Sequence, residues 1–250
     1  MSSLNKFQNT HAWFKTLIPS TKEEIHFRAM VMKENMEISL ALNENNESGY
    51  ETIFTILENC IKENINIRSL PMYDIEWIIL QTQRKSQGEV KKLNFDCEKC
   101  EKENIVNFDL SMLKVLNQEE AEQKRKILVG EYSDKPFYIE MNYPSIKLKQ
   151  TIEAIEHAEK TNDEQLQMAA IIEICAMSIK QVYNEEDVTE FSEETIQSWK
   201  EFVLDLDSEV LAKMTEFFNI NPKCVVDCSH ICPHCGHQNE KQIEDLNNFF

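Results

Sequence analysis

Residues 232–240 read C-P-H-C-G-H-Q-N-E, and residues 97–100 read C-E-K-C. Two thiolates separated by two residues can grip one metal ion from a tight turn, but they supply only half of a closed tetrahedral shell. How the two pairs relate therefore decides the fold. Leu93 and Phe95 alternate before the first pair, and Val106, Phe108 and Leu110 alternate after it, so residues 89–110 read as strand, tight turn, strand. The last stretch repeats the arrangement: Cys224 to Ile231, the second pair, then Q-I-E-D-L-N-N-F-F. Two hairpins with C-x-x-C at their tips are the halves of a zinc ribbon. Cys97, Cys100, Cys232 and Cys235 are its expected ligands, about 2.3 Å from a structural zinc. Gly236 suits the position just past the second thiol, where a positive φ is often needed. Glu101 stands at that position in the first knuckle and reaches such a φ less easily.

Spacing leaves other readings of the cysteines open. Cys224 and Cys228 could join Cys232 and Cys235 in a local site, although C-x-x-x-C on an extended strand makes no knuckle turn. His230, His234 or His237 could replace a thiol. A redox pair wants its attacking cysteine at a helix N-terminus, whereas both pairs here lie in hairpin patterns. Four thiolate ligands leave no open position for a metal-bound water, so zinc-activated hydrolysis is not indicated. Cys60 and Cys175 fall on apolar helical faces and read as core.

Composition narrows the class. A chain of 250 residues with 42% apolar content can fill a core. No apolar run approaches the roughly 18 residues of a membrane span, and the N-terminus lacks the layout of a secretion signal, so a cytosolic and reducing location is expected. Eight cysteines in such a compartment read first as metal ligands or buried thiols. A net charge of −18 opposes binding nucleic acid through its phosphates. The chain has no phosphate-cradling Gly-rich loop, G-x-S-x-G or H-E-x-x-H, and no enzymatic activity is expected.

Along the chain, His11, Trp13, Phe14 and Leu17 suggest an arm that packs on this chain or on another, docking on its own core being the commoner outcome, and Ile25 to Val31 alternate as a strand. Over 33–45, Met36, Ile38, Leu40 and Leu42 alternate, but Met32, Met36 and Leu40 also stack at helical spacing, and helix is the preferred reading. Helices are also predicted from Tyr50 to about Ile65, after Pro71 with Asp74 as cap and Gly88 as stop, and over the polar segment 112–126. A β element at Phe137, Ile139 and Met141 precedes helices at about 145–160 and 163–184. Two more helices are capped by Ser192 and by Asp207 or Ser208. The acidic cluster at 185–187 lacks the Gly and alternating ligands of a calcium loop and reads as a solvated face. The expected fold is α+β, mostly helical, with the zinc ribbon formed by two β-hairpins carrying C-x-x-C knuckles. Its parts are an N-terminal helical region with the first knuckle (1–110), a helical segment (111–221) and the C-terminal knuckle (222–250), forming one compact unit.

The strings I-H-F-R-A-M-V-M-K-E-N-M-E-I-S-L-A-L (25–42) and L-P-M-Y-D-I-E-W-I-I-L-Q-T-Q-R-K-S-Q-G-E (70–89), with the ending from Cys232 to Phe250, resemble the baseplate hub assembly proteins of T-even type bacteriophages. The resemblance covers about 25–110 and 222–250, and the pair Cys224 and Cys228 departs from it. It implies a late viral protein acting in the host cell cytoplasm, with a place in the virion open. The implied function is non-enzymatic: an assembly factor or chaperone for the central hub of a contractile tail baseplate, or else a hub component retained in the virion. The implied partners are other hub proteins and the tape-measure protein, with no nucleic acid and no membrane. A zinc-ribbon nucleic-acid adaptor is the alternative class, which the charge disfavours.

Overall fold

Ile25 and Phe27 alternate with polar neighbours, and this period of two builds strand β2 (Glu24–Arg28) with both apolar side chains buried. The computed structural model describes residues 11–44, 47–145 and 164–244. Its N-terminal segment does dock on its own chain, as strand β1 (Trp13–Leu17) antiparallel to β2, with Phe14 opposite Phe27. The chain divides into two compact units, one formed by Met1–Val115 with Cys224–Phe250 and the other by Leu116–Lys223.

In the first unit, β1 and β2 are followed by helices α1 (Met32–Glu44), α2 (Glu47–Cys60) and α3 (Met72–Gln87). Ile53, Leu57 and Cys60 recur at helical spacing on the buried face of α2. Helix α1 packs on α2 at close range: a Cβ added to Gly49 would lie 2.6 Å from the carbonyl oxygen of Ala41. Met32, Met36 and Leu40 line the exposed face of α1, while Ile38 and Ala41 point inward. Helix α3 stops at Gly88, whose φ of 95° suits glycine. Its start differs from the expectation: Pro71 occupies the cap position, and Asp74 is fully buried one turn in. Asp74 instead accepts hydrogen bonds from the Ser20 N–H (3.0 Å) and the Ser20 hydroxyl, tying α3 to the turn after β1. Strands β3 (Val90–Asp96) and β4 (Glu103–Asp109) then form the predicted hairpin. The segment 112–126 is not one helix; it holds strand β5 (Lys114–Leu116) and a short α4 (Gln118–Lys124).

The second unit begins with α4 and a hairpin of β6 (Lys126–Tyr132) and β7 (Lys135–Met141). Ser133 and Asp134 both take positive φ, 53° and 62°, the pair of left-handed residues that a two-residue type I′ turn requires. The helix read at about 145–160 lies outside the described residues. The apolar run 163–184 does not stay helical: α5 (Glu164–Met177) gives way to β8 (Ile179–Tyr183), which pairs with β7 and places Val182 opposite Ile139. A turn closed by Asn184 leads to β9 (Val188–Glu190), completing a four-stranded antiparallel sheet in the order β6-β7-β8-β9. Helices α6 (Ile196–Leu204) and α7 (Ser208–Asn219) follow, with Asp207 at the α7 cap position. Ile127, Ile139, Met141, Cys175, Ile179, Trp199, Val203, Met214 and Phe217 join in this unit's own core. Beside it the buried Glu140 meets Arg125 (2.6 Å), Gln181 (2.7 Å) and Lys180 (3.1 Å). Burial works against its charge, yet these partners hold the carboxyl below the usual range.

The chain returns to the first unit through β10 (Lys223–Asp227), β11 (His230–Ile231), β12 (Gln238–Asn239) and β13 (Gln242–Ile243), and β10 lies between β13 and β5. A mostly helical fold is therefore a misreading. Among the described residues about 42% is helix and 29% strand, the strands spread over several small sheets. Short strands inside apolar runs carry little periodic signal, and partner strands distant in sequence fix them.

Asp74 gives the first unit a testable pH dependence. Burial pushes its carboxyl up to about 6 from the usual 3.8, against the Ser20 bonds and the charge of Lys22. A raised acid contributes stability that is full below about pH 4 and lost as pH rises through 6. Asp74→Asn, able to keep both Ser20 bonds, is expected to match wild type near pH 4 and to exceed it by up to about 3 kcal/mol at pH 7. Urea unfolding of both proteins across that range reads the difference directly, since the other carboxylates cancel; a constant difference would contradict the assignment.

Candidate metal centre

The first knuckle begins where the β3–β4 ladder ends, at Asp96 opposite Glu103, and spans Cys97 to Lys102. The second sits between Ile231 and Gln238 of the β11–β12 pair. The same bonds build both. Cys97 N–H donates to the Lys102 carbonyl (3.0 Å) and Glu101 N–H to the Cys97 carbonyl (2.9 Å). Cys232 N–H donates to the His237 carbonyl (2.8 Å) and Gly236 N–H to the Cys232 carbonyl (2.9 Å). Gly236 has a φ of 71°, and Glu101 adopts the same conformation at 57°. Turn geometry thus overrides residue type in the first knuckle, at a cost of roughly 1 kcal/mol for a side chain in the left-handed region.

The four sulfurs of Cys97, Cys100, Cys232 and Cys235 all lie within 4.8 Å of one another. The two close approaches run across the knuckles: Cys97 to Cys235 at 3.6 Å and Cys100 to Cys232 at 3.7 Å. A disulfide needs about 2.05 Å, so these are separate thiols. A tetrahedral thiolate shell with metal–sulfur bonds of about 2.3 Å has edges of about 3.8 Å, and the donor set fits one such ion.

Charge is unevenly favoured among Cys97, Cys232 and Cys235. Desolvation opposes ionisation of Cys97, but the N–H groups of Cys100 and Lys99 turn toward its sulfur and bring the thiol down to about 6. Cys232 is lowered in the same way by the N–H groups of His234 and Cys235. At Cys235 the N–H of His237 favours the thiolate, yet desolvation and the three neighbouring sulfurs outweigh it and push the thiol up to about 12. Crowded thiolates repel, and a cation among them removes that repulsion.

The other candidate ligands stand apart. Cys224 is buried and its thiol donates to the Tyr73 carbonyl at 3.2 Å, and Cys228 is buried with its thiol pushed up by desolvation to about 11. The cluster contains no histidine. His230 turns its Nδ1 to the Cys228 carbonyl (3.1 Å), and His237 Nε2 lies 3.9 Å from Glu98. Cys60 and Cys175 are buried in their respective units, and desolvation raises both thiols, to about 12 and about 11.

Two residues escape a reading based on cysteines alone. Asn104 and Asn239 are both buried, each four positions past the second cysteine of its knuckle. Asn239 Oδ1 accepts the Glu98 N–H at 3.0 Å, and Asn104 meets His230 Nε2 at 3.3 Å. Phe95 and His230, each two positions before a first cysteine, stack with centroids 6.0 Å apart. The signal for these residues is the repeated string C-x-x-C-x-x-x-N, present at 97–104 and at 232–239.

Among the described residues no helix is long and apolar enough to cross a membrane. Comparison with curated proteins and with solved structures finds no match. A family model described as T4 bacteriophage base plate protein matches residues 12–250, which takes in both knuckles and everything between them. The chain belongs to the family of T4-type bacteriophage base plate proteins.

Proposed function

We propose that Cys97, Cys100, Cys232 and Cys235 hold a structural zinc ion, and that the protein is a non-enzymatic assembly factor for the central hub of the contractile tail baseplate. The observation that carries the reading is the cluster of four sulfurs within 4.8 Å, built by two pairs more than 130 positions apart within a family match that covers residues 12–250. Tetrahedral sulfur donor sets suit zinc, and the cross-knuckle spacings suit a single ion. Bound there, zinc supplies positive charge and a cross-link. With all four positions filled by protein thiolates, none is left for substrate, which supports a role in binding rather than turnover.

Partner choice follows from charge. A net −18 favours partners with basic surfaces, such as unassembled hub proteins or the tape-measure protein, and disfavours nucleic acid. Synthesis and action in the host cytoplasm fit this role.

One equivalent of zinc is expected by elemental analysis of the purified protein. Cys97→Ser or Cys232→Ser should lose it, while Cys224→Ser should retain it. Chelation should destabilise the first unit by several kcal/mol, read as a lower denaturation midpoint that returns on adding zinc. Absence of stoichiometric zinc would remove the metal from the reading.

For the assembly role, the protein should co-purify with hub proteins from infected cells and be missing from purified virions by quantitative mass spectrometry. Stoichiometric recovery from virions would make it a retained hub component instead.

A further inference from the structure

Asn239 is fully buried at the start of the second knuckle's outgoing chain, and its amide has a fixed sense. Its Oδ1 faces the Glu98 N–H (3.0 Å), which can only donate, and its Nδ2 faces the His237 carbonyl (3.4 Å), which can only accept. Glu98 follows the first ligand of the opposite knuckle, so one side chain spans both halves of the cysteine cluster.

Asn104 occupies the equivalent place in the first knuckle. Its matching target would be the main-chain N–H of residue 233, but that residue is Pro233 and has none. Asn104 lies instead near Cys232 Sγ (3.5 Å) and His230 Nε2 (3.3 Å). The near-twofold relation of the knuckles therefore yields one amide-to-main-chain tie where symmetry would give two.

We propose that Asn239 is a positioning residue for the cysteine cluster: its bond to the Glu98 N–H docks the two knuckles and so sets the affinity for the metal. The inference rests on the metal reading above. Half-sites from distant chain segments must meet before four sulfurs can act together, and a buried bond formed without the ion lowers the cost of that meeting. Removing the acceptor also leaves the Glu98 N–H facing a buried void. Groups that orient ligands without touching a metal typically change affinity by 10–100-fold.

Position 98 offers a matched test from the other side of the bond. The equivalent position of the second knuckle already carries Pro233, so Glu98→Pro fits the same turn while deleting the N–H. Glu98→Ala serves as its reference, because both lose the carboxylate that pairs with Lys241 at 2.7 Å. Zinc affinity of the full-length protein is measured by competition with a chelating indicator, and cobalt-thiolate absorption is recorded per bound ion.

Asn239→Ala is expected to weaken zinc by about 10–100-fold with cobalt absorption per ion unchanged, since all four thiolates still ligate. Glu98→Pro should weaken it by a similar factor relative to Glu98→Ala. Adding Asn239→Ala to Glu98→Pro should cost less than about threefold more, the coupling expected of two ends of one bond. Asn239→Ala within about threefold of wild type, or the same loss with and without the N–H at 98, would overturn the proposal. Should Asn239→Ala not fold, equal affinities of Glu98→Pro and Glu98→Ala would overturn it alone. A wild type that binds no zinc would instead defeat the metal reading, and the inference with it.

Discussion

Four sulfurs delivered by two hairpin tips share a space of 4.8 Å, and the architecture of the first unit turns on what keeps them there. The strands that carry the second tip, β11 and β12, are two residues each, too short to hold a hairpin alone. Sheet pairing of β10, with Val225 and Val226 buried, anchors the returning chain but does not reach the knuckle. Unlinked, the sulfurs repel as they ionise; bridged by a cation, the same crowding becomes a cross-link between remote parts of the chain. The tie from Asn239 to Glu98 makes sense in that setting, as a bond that works without the ion.

A large insertion between ligands need not weaken such a site. Cys100 and Cys232 are 132 positions apart, yet the entropy of closing a loop grows only with the logarithm of its length, by about 0.6 kcal/mol per doubling. The residues between them also fold largely on their own account, since the second unit buries its own core from Ala121 to Phe217. An independently folded insert contributes less flexible chain than its residue count suggests. This lets two half-sites distant in sequence behave as a local motif.

Features fixed by chemistry were legible in the sequence, and those fixed by packing were less so. Ligand spacing and the left-handed Gly236 are properties of a single turn, so the hairpins could be read from a few residues, whereas Glu101 takes the same conformation against its residue type. The spacing of Met32, Met36 and Leu40 identified a helix without showing that this stripe is its exposed face, because periodicity does not tell which side meets the core. Strand β8 was hidden because Ile179 and Val182 extend the apolar helical pattern of α5, and only pairing with β7 makes them extended. Strand β6 was lost for a related reason: its register shifts between Leu128 and Gly130, which breaks the alternation that would announce it. Asp74 looked like a helix cap because its side chain suits one, but Ser20, far away in sequence, claims it.

The acidic excess acquires structural meaning from where the few cations go. The chain has four arginines, and each is paired with glutamate: Arg28 with Glu34, Arg68 with Glu51 and Glu58, Arg84 with Glu89, and Arg125 with Glu122 and Glu140. Arg68 is exposed, and its pairs cost little to break. Arg28 and Arg125 are largely buried against their partners, and recruiting them would take the counter-charge from Glu34 and leave Glu140 with Lys180 alone to balance it. The side chain best shaped to grip a phosphate is thus partly committed to holding the fold, while 44 acidic residues outnumber 26 basic ones. Both facts point the same way as the proposed role: recognition in the baseplate would run from an acidic surface here to a basic one on a partner, with the cysteine cluster keeping that surface in shape.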